Sequence, residues 1–500
     1  MLLSRSNLKN INSDIISVPP GRLFDLPIKV LQFGTGVLLR GLPDYFIDKA
    51  NRQGIFNGRI VVVKSTDSGD GASFEHQDGM YTICMRGIVN GRPVEENIIS
   101  ASIKKVLSAN KDWDSVLQYA HDPAITIIIS NTTEVGIELA NDDIFLSPPS
   151  SYPGKLLSFL FERYKTFGAG PQHGFVIVPT ELISDNGTKL KSIVIELAKR
   201  HHLETTFIDW LTEHNHFCNS LVDRIVPGRP GVASKALLVK QLGYEDELLT
   251  MSEVYGLWAI EGNDYTRSVL SFAGANKEII ITKDINLYKE LKLRLLNGTH
   301  TISCGVAFLA GITTVKQAMD NQLVARFIKR LMIDEIATAI PYPVPLHDAT
   351  EFAGNVLDRF SNPSIEHHWI SITLNYTSKL KMRVVPVLLR YHQLYHAVPE
   401  NMATGFAAWL LFMKTVKKEG NFYFGFCNEQ EYPVRDEMAG YFFNHWQNLS
   451  PQSLVKTVLS DASLWDADLS IIPELTEKVT EKLILIMEQG MMAAIKNHDQ

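Results

Sequence analysis

The chain has 500 residues, 45% of them apolar, which is more than one hydrophobic core usually organises and ample to fill two. A formal net charge of -7 and a pI near 6.1 argue against nucleic-acid or membrane-surface binding, because both need a concentrated basic face. A small-molecule partner is the expectation.

The opening stretch, "MLLSRSNLKNINSDIISVPPGR", has no continuous apolar core, and no run of about 18 apolar residues follows anywhere, so the sequence reads as a cytoplasmic protein. Cys84, Cys218, Cys304 and Cys427 are too scattered for CxxC spacing and too few for a disulfide framework, which suits reduced, structural thiols.

The first strand expected is "IKVLQF" (28–33), and "GTG" follows it directly before a helical pattern. Gly34, Thr35 and Gly36 thus stand where a glycine turn lets backbone N–H groups approach a pyrophosphate. Leu39 takes the place of the third glycine of GxGxxG, and a tight strand-to-helix turn without a ligand is the plainer alternative. The next strand, "RIVVVK" (59–64), ends close to Asp67, the spacing at which an acid meets the adenosine ribose hydroxyls. An acid there favours NAD over NADP, while Lys64 would pull the other way. "ITIIIS" (125–130) ends at Asn131 and Thr132, candidates for the nicotinamide ribose, and "GFVIVPT" (174–180) is a fourth strand. Continuous apolar strands separated by amphipathic segments such as "PGKLLSFLFERYKTF" indicate a parallel sheet covered on both faces.

"EIIITKD" reads as the last strand of this part. From Asp284 onward the periodicity is helical nearly throughout, as in "TVKQAMDNQLVARFIKRLMIDEIATAI" and "MATGFAAWLLFMKTV", with little that alternates at period two. The expected division is 1–283 and 284–500.

Within the helical part, "KLRLLNGTH" (292–300) puts Lys292, Asn297 and His300 where packing alone would ask for leucine. On an α-helix at about 100° per residue, Asn297 lies roughly 140° and His300 roughly 80° from Lys292, within about 12 Å of rise. One small ligand could meet all three. A snorkelling lysine, a capping asparagine and a core histidine are the bland alternatives. Hydride transfer between a nicotinamide and a secondary alcohol needs a proton carrier and donors to the oxygen, and these residue types supply both.

The K-x4-N-x2-H pattern of Lys292, Asn297 and His300 resembles the signature of the polyol-specific long-chain dehydrogenase/reductase family, to which mannitol dehydrogenase belongs. "FGTGVLLRG", "QDGMYTICMRG", "SNTTEVGIE", "SLVDRIVPG" and "LNGTH" are similar to that family's blocks, in its order. The resemblance implies an α/β Rossmann-type N-terminal domain plus a mainly α-helical C-terminal domain, NAD as cofactor, no metal, and the lysine as acid/base. "SYPGKLLSFLFERY", "VPTELISDNG" and "FCNSLVDRIVPG" are most similar to the branch that reduces tagaturonate to altronate, so a sugar-acid substrate is expected. Fructuronate reduction, polyol oxidation and a non-catalytic sugar-acid sensor remain the alternatives.

Where the mannitol branch has an oxyanion-holding asparagine, this sequence offers Glu181 and, further on, Asn186. Its arginine pair falls on Ile370 and Ser371 here. Arg40, Lys379 and Arg383 are candidates for the substrate carboxylate, and the resemblance puts Asp223 near the lysine. Asp223-Arg224 could equally be a structural ion pair. His214, His216 and Cys218 alternate like metal ligands without a fourth, and the pairs at 201–202 and 367–368 read as surface or packing histidines.

Overall fold

Apolar residues on both sides of each strand build the first part of the molecule. The computed structural model describes residues 1–65, 70–132 and 135–496. Strands in chain order are β1 (Ile28–Phe33), β2 (Arg59–Lys64), β3 (Tyr81–Val89), β4 (Arg92–Ser100), β5 (Ile103–Ser108), β6 (Ile127–Ser130), β7 (Val176–Pro179), β8 (His216–Phe217), β9 (Ser220–Asp223), β10 (Thr250–Glu253), β11 (Leu257–Glu261) and β12 (Ile279–Thr282). Among the described residues six of these form one sheet in the order β5-β2-β1-β6-β7-β8, every neighbouring pair parallel.

Successive side chains of a strand point to opposite faces, and here both faces are dry. Val30, Ile60, Val62, Ile127, Ile129 and Val178 join one core with Tyr45, Phe46 and Ile47 of the helix Pro43–Arg52. Leu31, Phe33, Val61, Val63, Ile128 and Ile177 join the other, with Leu156, Leu160, Leu190 and Val194 from the helices Tyr152–Phe167 and Asn186–Arg200. From β1 the chain steps through β2 to β5 at one edge, then returns to β6 on the other side of β1. The strand order therefore reverses between β1 and β6, and in open parallel sheets ligands bind at the carboxyl ends of the strands flanking such a reversal.

Two compact units result: Met1–Arg86 with Pro93–Ile285, and Gly87–Arg92 with Asn286–Gln500. The second is mainly helical, with Thr299–Leu309, Glu400–Phe412 and Leu475–Gln489 among its buried helices. It also holds a meander, β13 (Thr415–Glu419), β14 (Phe422–Cys427) and β15 (Gln430–Val434), which the helical reading missed. Its turns place Gly420, Asn428 and Glu429 at positive φ, as tight hairpins require, and "FYFGFC" is rich in aromatic strand formers. Among the described residues no helix is long and apolar enough to cross a membrane.

Candidate active site

At the carboxyl end of β1, Gly34 has φ +119°, and a Cβ there would sit 2.7 Å from the Asn131 carbonyl oxygen. Only glycine lets β1 leave the sheet this close to the end of β6. Gly36 differs: a Cβ added there meets nothing within 4 Å among the described residues, beside the half-buried Thr35. A turn closed behind and bare in front suits the approach of a pyrophosphate, as the GTG spacing leads one to expect. Asp67 lies outside the described residues. Lys64 is buried at the end of β2.

The ends of β6 and β7 are tied to each other. Asn131 donates through Nδ2 to the carbonyl and hydroxyl oxygens of Thr180, at 2.9 and 3.1 Å. The Glu181 carboxylate accepts from the Ser130 hydroxyl at 3.1 Å and from the N–H and hydroxyl of Thr132 at 3.0 and 3.1 Å. Burial pushes the Glu181 pKa up, and those donors pull it back. Asn186 is fully buried. Its Nδ2 reaches the Pro179, Glu181 and Ser220 carbonyls, and its Oδ1 accepts from the Gly187 and Ser220 N–H groups. Glu181 and Asn186, read from the sequence as substrate ligands, thus brace the strand ends in this structure. Ser130 and Thr180, which complete this brace, were missed because a serine and a threonine at strand ends carry no pattern of their own.

In the second unit, 292–298 is not α-helical. Lys292–Gly298 is a π-helical stretch running directly into the helix Thr299–Leu309. Its i→i+5 pairing brings residues five apart toward one face, so Lys292 and Asn297 align more closely than α-helical spacing implies. Both are half-buried. The Asn297 carbonyl accepts from the Thr301 hydroxyl at 2.7 Å, and that hydroxyl accepts from Arg383 Nη1 at 3.1 Å. His300 is stacked on Phe360 with ring centroids 4.3 Å apart, and His367 and Trp369 stand edge-on to it. Its buried Nε2 has no hydrogen-bond partner among the described residues. Burial above all, then the charges of His367, Arg359, Arg383 and Lys379, hold its pKa well below the ordinary imidazole value. His300 is therefore neutral, with a ring nitrogen able to accept from a hydroxyl or donate to an oxygen according to tautomer.

The remaining candidates divide. Arg40 is buried in the first unit, donates to the Leu248 carbonyl at 2.9 Å and lies 3.8 Å from Asp70, while its Nε is buried without a partner among the described residues; unlike Lys379 and Arg383, it already has a carboxylate beside it. Arg224 donates to the carbonyls of Gly41, Glu253, Val254 and Tyr255, a backbone clasp. Asp223 is buried at the end of β9, opposite Leu257 of β11. His216 lies on β8 against Tyr265, and burial pushes the Cys218 thiol up to about 12. Among the described residues no group of three His, Cys, Asp or Glu side chains could hold a metal ion. Ile370 is half-buried, and exposed Ser371 turns its hydroxyl to the His368 carbonyl.

Residues 28–273 match the mannitol dehydrogenase Rossmann domain and residues 284–487 the mannitol dehydrogenase C-terminal domain. The chain is 38% identical over 477 residues to an altronate oxidoreductase of Bacillus subtilis, covering 94% of this chain and 95% of that one. It is 36% identical over 479 residues to an altronate oxidoreductase of Halalkalibacterium halodurans, covering 94% and 93%. In fold it is similar to Pseudomonas fluorescens mannitol 2-dehydrogenase, solved as a ternary complex with NAD and D-mannitol, with a TM-score of 0.67 and 21% identity over 100% of this chain and 99% of that one. A D-sorbitol dehydrogenase in substrate-free form gives a TM-score of 0.75 at 20% identity, over 99% of this chain and 100% of that one.

Proposed function

The chain belongs to the mannitol dehydrogenase family, and from that premise we propose that it reduces tagaturonate to altronate, reversibly, with NADH as reductant in hexuronate breakdown. The observation that carries the reading is the π-helical alignment of Lys292 with Asn297, followed one turn on by His300, whose buried Nε2 has no hydrogen-bond partner among the described residues. Identity of 36–38% with altronate oxidoreductases along nearly the whole chain supports the choice of substrate.

NAD fits the first unit, because Gly36 leaves the backbone bare where a dinucleotide pyrophosphate would lie and Asn131 and Thr132 edge the next strand end. Bound there, it supplies the hydride. Lys292 gives its ammonium proton to the ketone oxygen as that oxygen becomes an alcohol, and takes it back in the reverse direction. The Asn297 amide donates to the same oxygen without titrating. His300 Nε2 holds a neighbouring hydroxyl and so orients the ketone against Lys292 and Asn297.

Following NADH absorbance with tagaturonate, fructuronate and fructose tests this. Tagaturonate should be reduced with the highest kcat/KM. A win by fructuronate would change only the epimer, whereas fructose equal to or above both would make the protein a polyol dehydrogenase. Binding of NADH without turnover of any of them would point to a sensor.

A further inference from the structure

Resting on that reading of the substrate, we propose that Lys379 and Arg383 form an anion clamp that takes the carboxylate of a hexuronate beside His300. They lie four apart on the helix Tyr376–Arg383, hence on one face. Both are half-buried, and among the described residues neither is within ion-pair distance of a carboxylate. Nearby cations are answered: Lys381 meets Asp466 at 2.7 Å and Arg294 meets Glu290 at 2.8 Å. The acid whose charge reaches Lys379, Asp436, has its two oxygens taken by the N–H groups of Thr377 and Met438.

What these two cations do bind leaves them partly unused. Lys379 Nζ donates to the Ile372 carbonyl at 2.9 Å, and Arg383 Nη1 to the Thr301 hydroxyl at 3.1 Å. Arg383 Nε is buried without a partner. With Nη1 engaged, the Nε–Nη2 edge remains, the pair of parallel donors that matches the two oxygens of a carboxylate. Burial and the charge of Arg383 both push the Lys379 pKa down, and burial pushes down that of Arg383. Two partly buried cations held together without a counter-ion oppose folding, so the arrangement is explained by an anion that arrives later.

Proximity selects which anion. Both charges are felt by His300, Thr301 joins Arg383 to the residue next to it, and a Cβ on Gly298 would lie 3.6 Å from the Arg383 carbonyl oxygen. Thr299 Oγ1, Ser303 Oγ and Thr377 Oγ1, on the same two helices, are also buried without partners among the described residues. The unanswered atoms thus pair hydroxyl-sized donors with a double positive charge, the pattern of a sugar acid. Isoleucine and serine stand at 370 and 371, so no cation comes from there.

Calorimetry with altronate, with the neutral hexitol altritol, and with inorganic phosphate tests the clamp in the whole protein and in its Arg383→Gln and Lys379→Met variants. The unmodified protein should bind altronate about 10²-fold more tightly than altritol, and each variant should lose at least about tenfold of that preference. Lys379 Nζ bonds to the Ile372 carbonyl and not to the Thr301 hydroxyl that Arg383 holds, so a disturbed Asn297 turn would not account for the loss in Lys379→Met. Equal binding of altronate and altritol, or a preference kept in both variants, would overturn the clamp. So would phosphate binding that vanishes in the variants without any preference for altronate. A protein that prefers altronate yet fails to oxidise it with NAD⁺ would sink the reaction and leave the clamp. Rapid oxidation with the preference intact in both variants would sink the clamp and leave the reaction.

Discussion

Polar side chains gather at two places in this molecule, at the ends of β6 and β7 in the first unit and around His300 in the second, and they are treated in opposite ways. The Glu181 carboxylate and the Asn186 amide are themselves answered by protein: three donors on the one, three carbonyls and two N–H groups on the other. In the helices that carry His300 and Arg383, the imidazole Nε2, three hydroxyls and a guanidinium Nε are buried without partners among the described residues. A buried polar group left unmet destabilises the fold by about 1–3 kcal/mol, so such groups gather where a ligand will meet them. Burial of polar residues alone therefore does not mark a site, and unmet capacity does so only in a cluster, since single atoms such as Arg59 Nε, Trp258 Nε1 and Trp409 Nε1 are also buried without partners among the described residues.

The sharpest way to break this contrast is Lys292→Met. If the second cluster carries the chemistry, turnover falls by at least about 10²-fold while the KM for NADH moves little. Near wild-type turnover would remove Lys292 as the proton carrier.

Next in size is a carboxyl of the second unit that is answered, as Glu181 is in the first. Glu335 accepts from the N–H and Nδ2 of Asn401 at 2.7 Å each and from the Met402 N–H at 2.9 Å, yet burial pushes its pKa from 4.5 to about 7. The folded state then holds a proton that the unfolded chain gives up between those values. Its contribution to stability is full below about pH 4.5 and is lost as pH rises through 7, about 3 kcal/mol over the window. Thermal unfolding of Glu335→Gln should lack this component, so the wild type loses stability relative to the variant between pH 5 and 8. Parallel pH curves for the two proteins would mean that Glu335 ionises normally.

Two glycines of one turn sharpen the comparison further. Gly34→Ala forces a side chain toward the Asn131 carbonyl at positive φ, which costs about 1–3 kcal/mol and should lower Tm as well as NADH affinity. Gly36→Ala enters open space and should weaken NADH binding with little change in Tm. A fall in Tm for Gly36→Ala alone would reverse the roles assigned to the two.

The smallest effect expected is that of Thr132→Val, which deletes one of the three donors to Glu181. A loss of about 1 kcal/mol in denaturant unfolding, with the KM for tagaturonate little altered, fits a brace. A KM effect without a stability effect would restore Glu181 to the substrate.

The sequence alone carried whatever depends on neighbours along the chain. Apolar runs placed the parallel strands, the GTG after the first of them marked a turn at the sheet's carboxyl edge, and nine consecutive residues held Lys292, Asn297 and His300 together. The meander at 415–434 is marked in the sequence only by Gly420 and the aromatic run after it, a short signal between long helical patterns. Tertiary structure decided the rest, because a polar group is answered or not by residues far away in the chain. Ser130 finds Glu181 across 51 positions, Asn186 finds Ser220 across 34, and Arg383 finds Thr301 across 82. The π-helical turn is of the same kind: residue spacing allows a helix there, but the shift from i→i+4 to i→i+5 pairing is settled by packing, and local propensity does not distinguish the two.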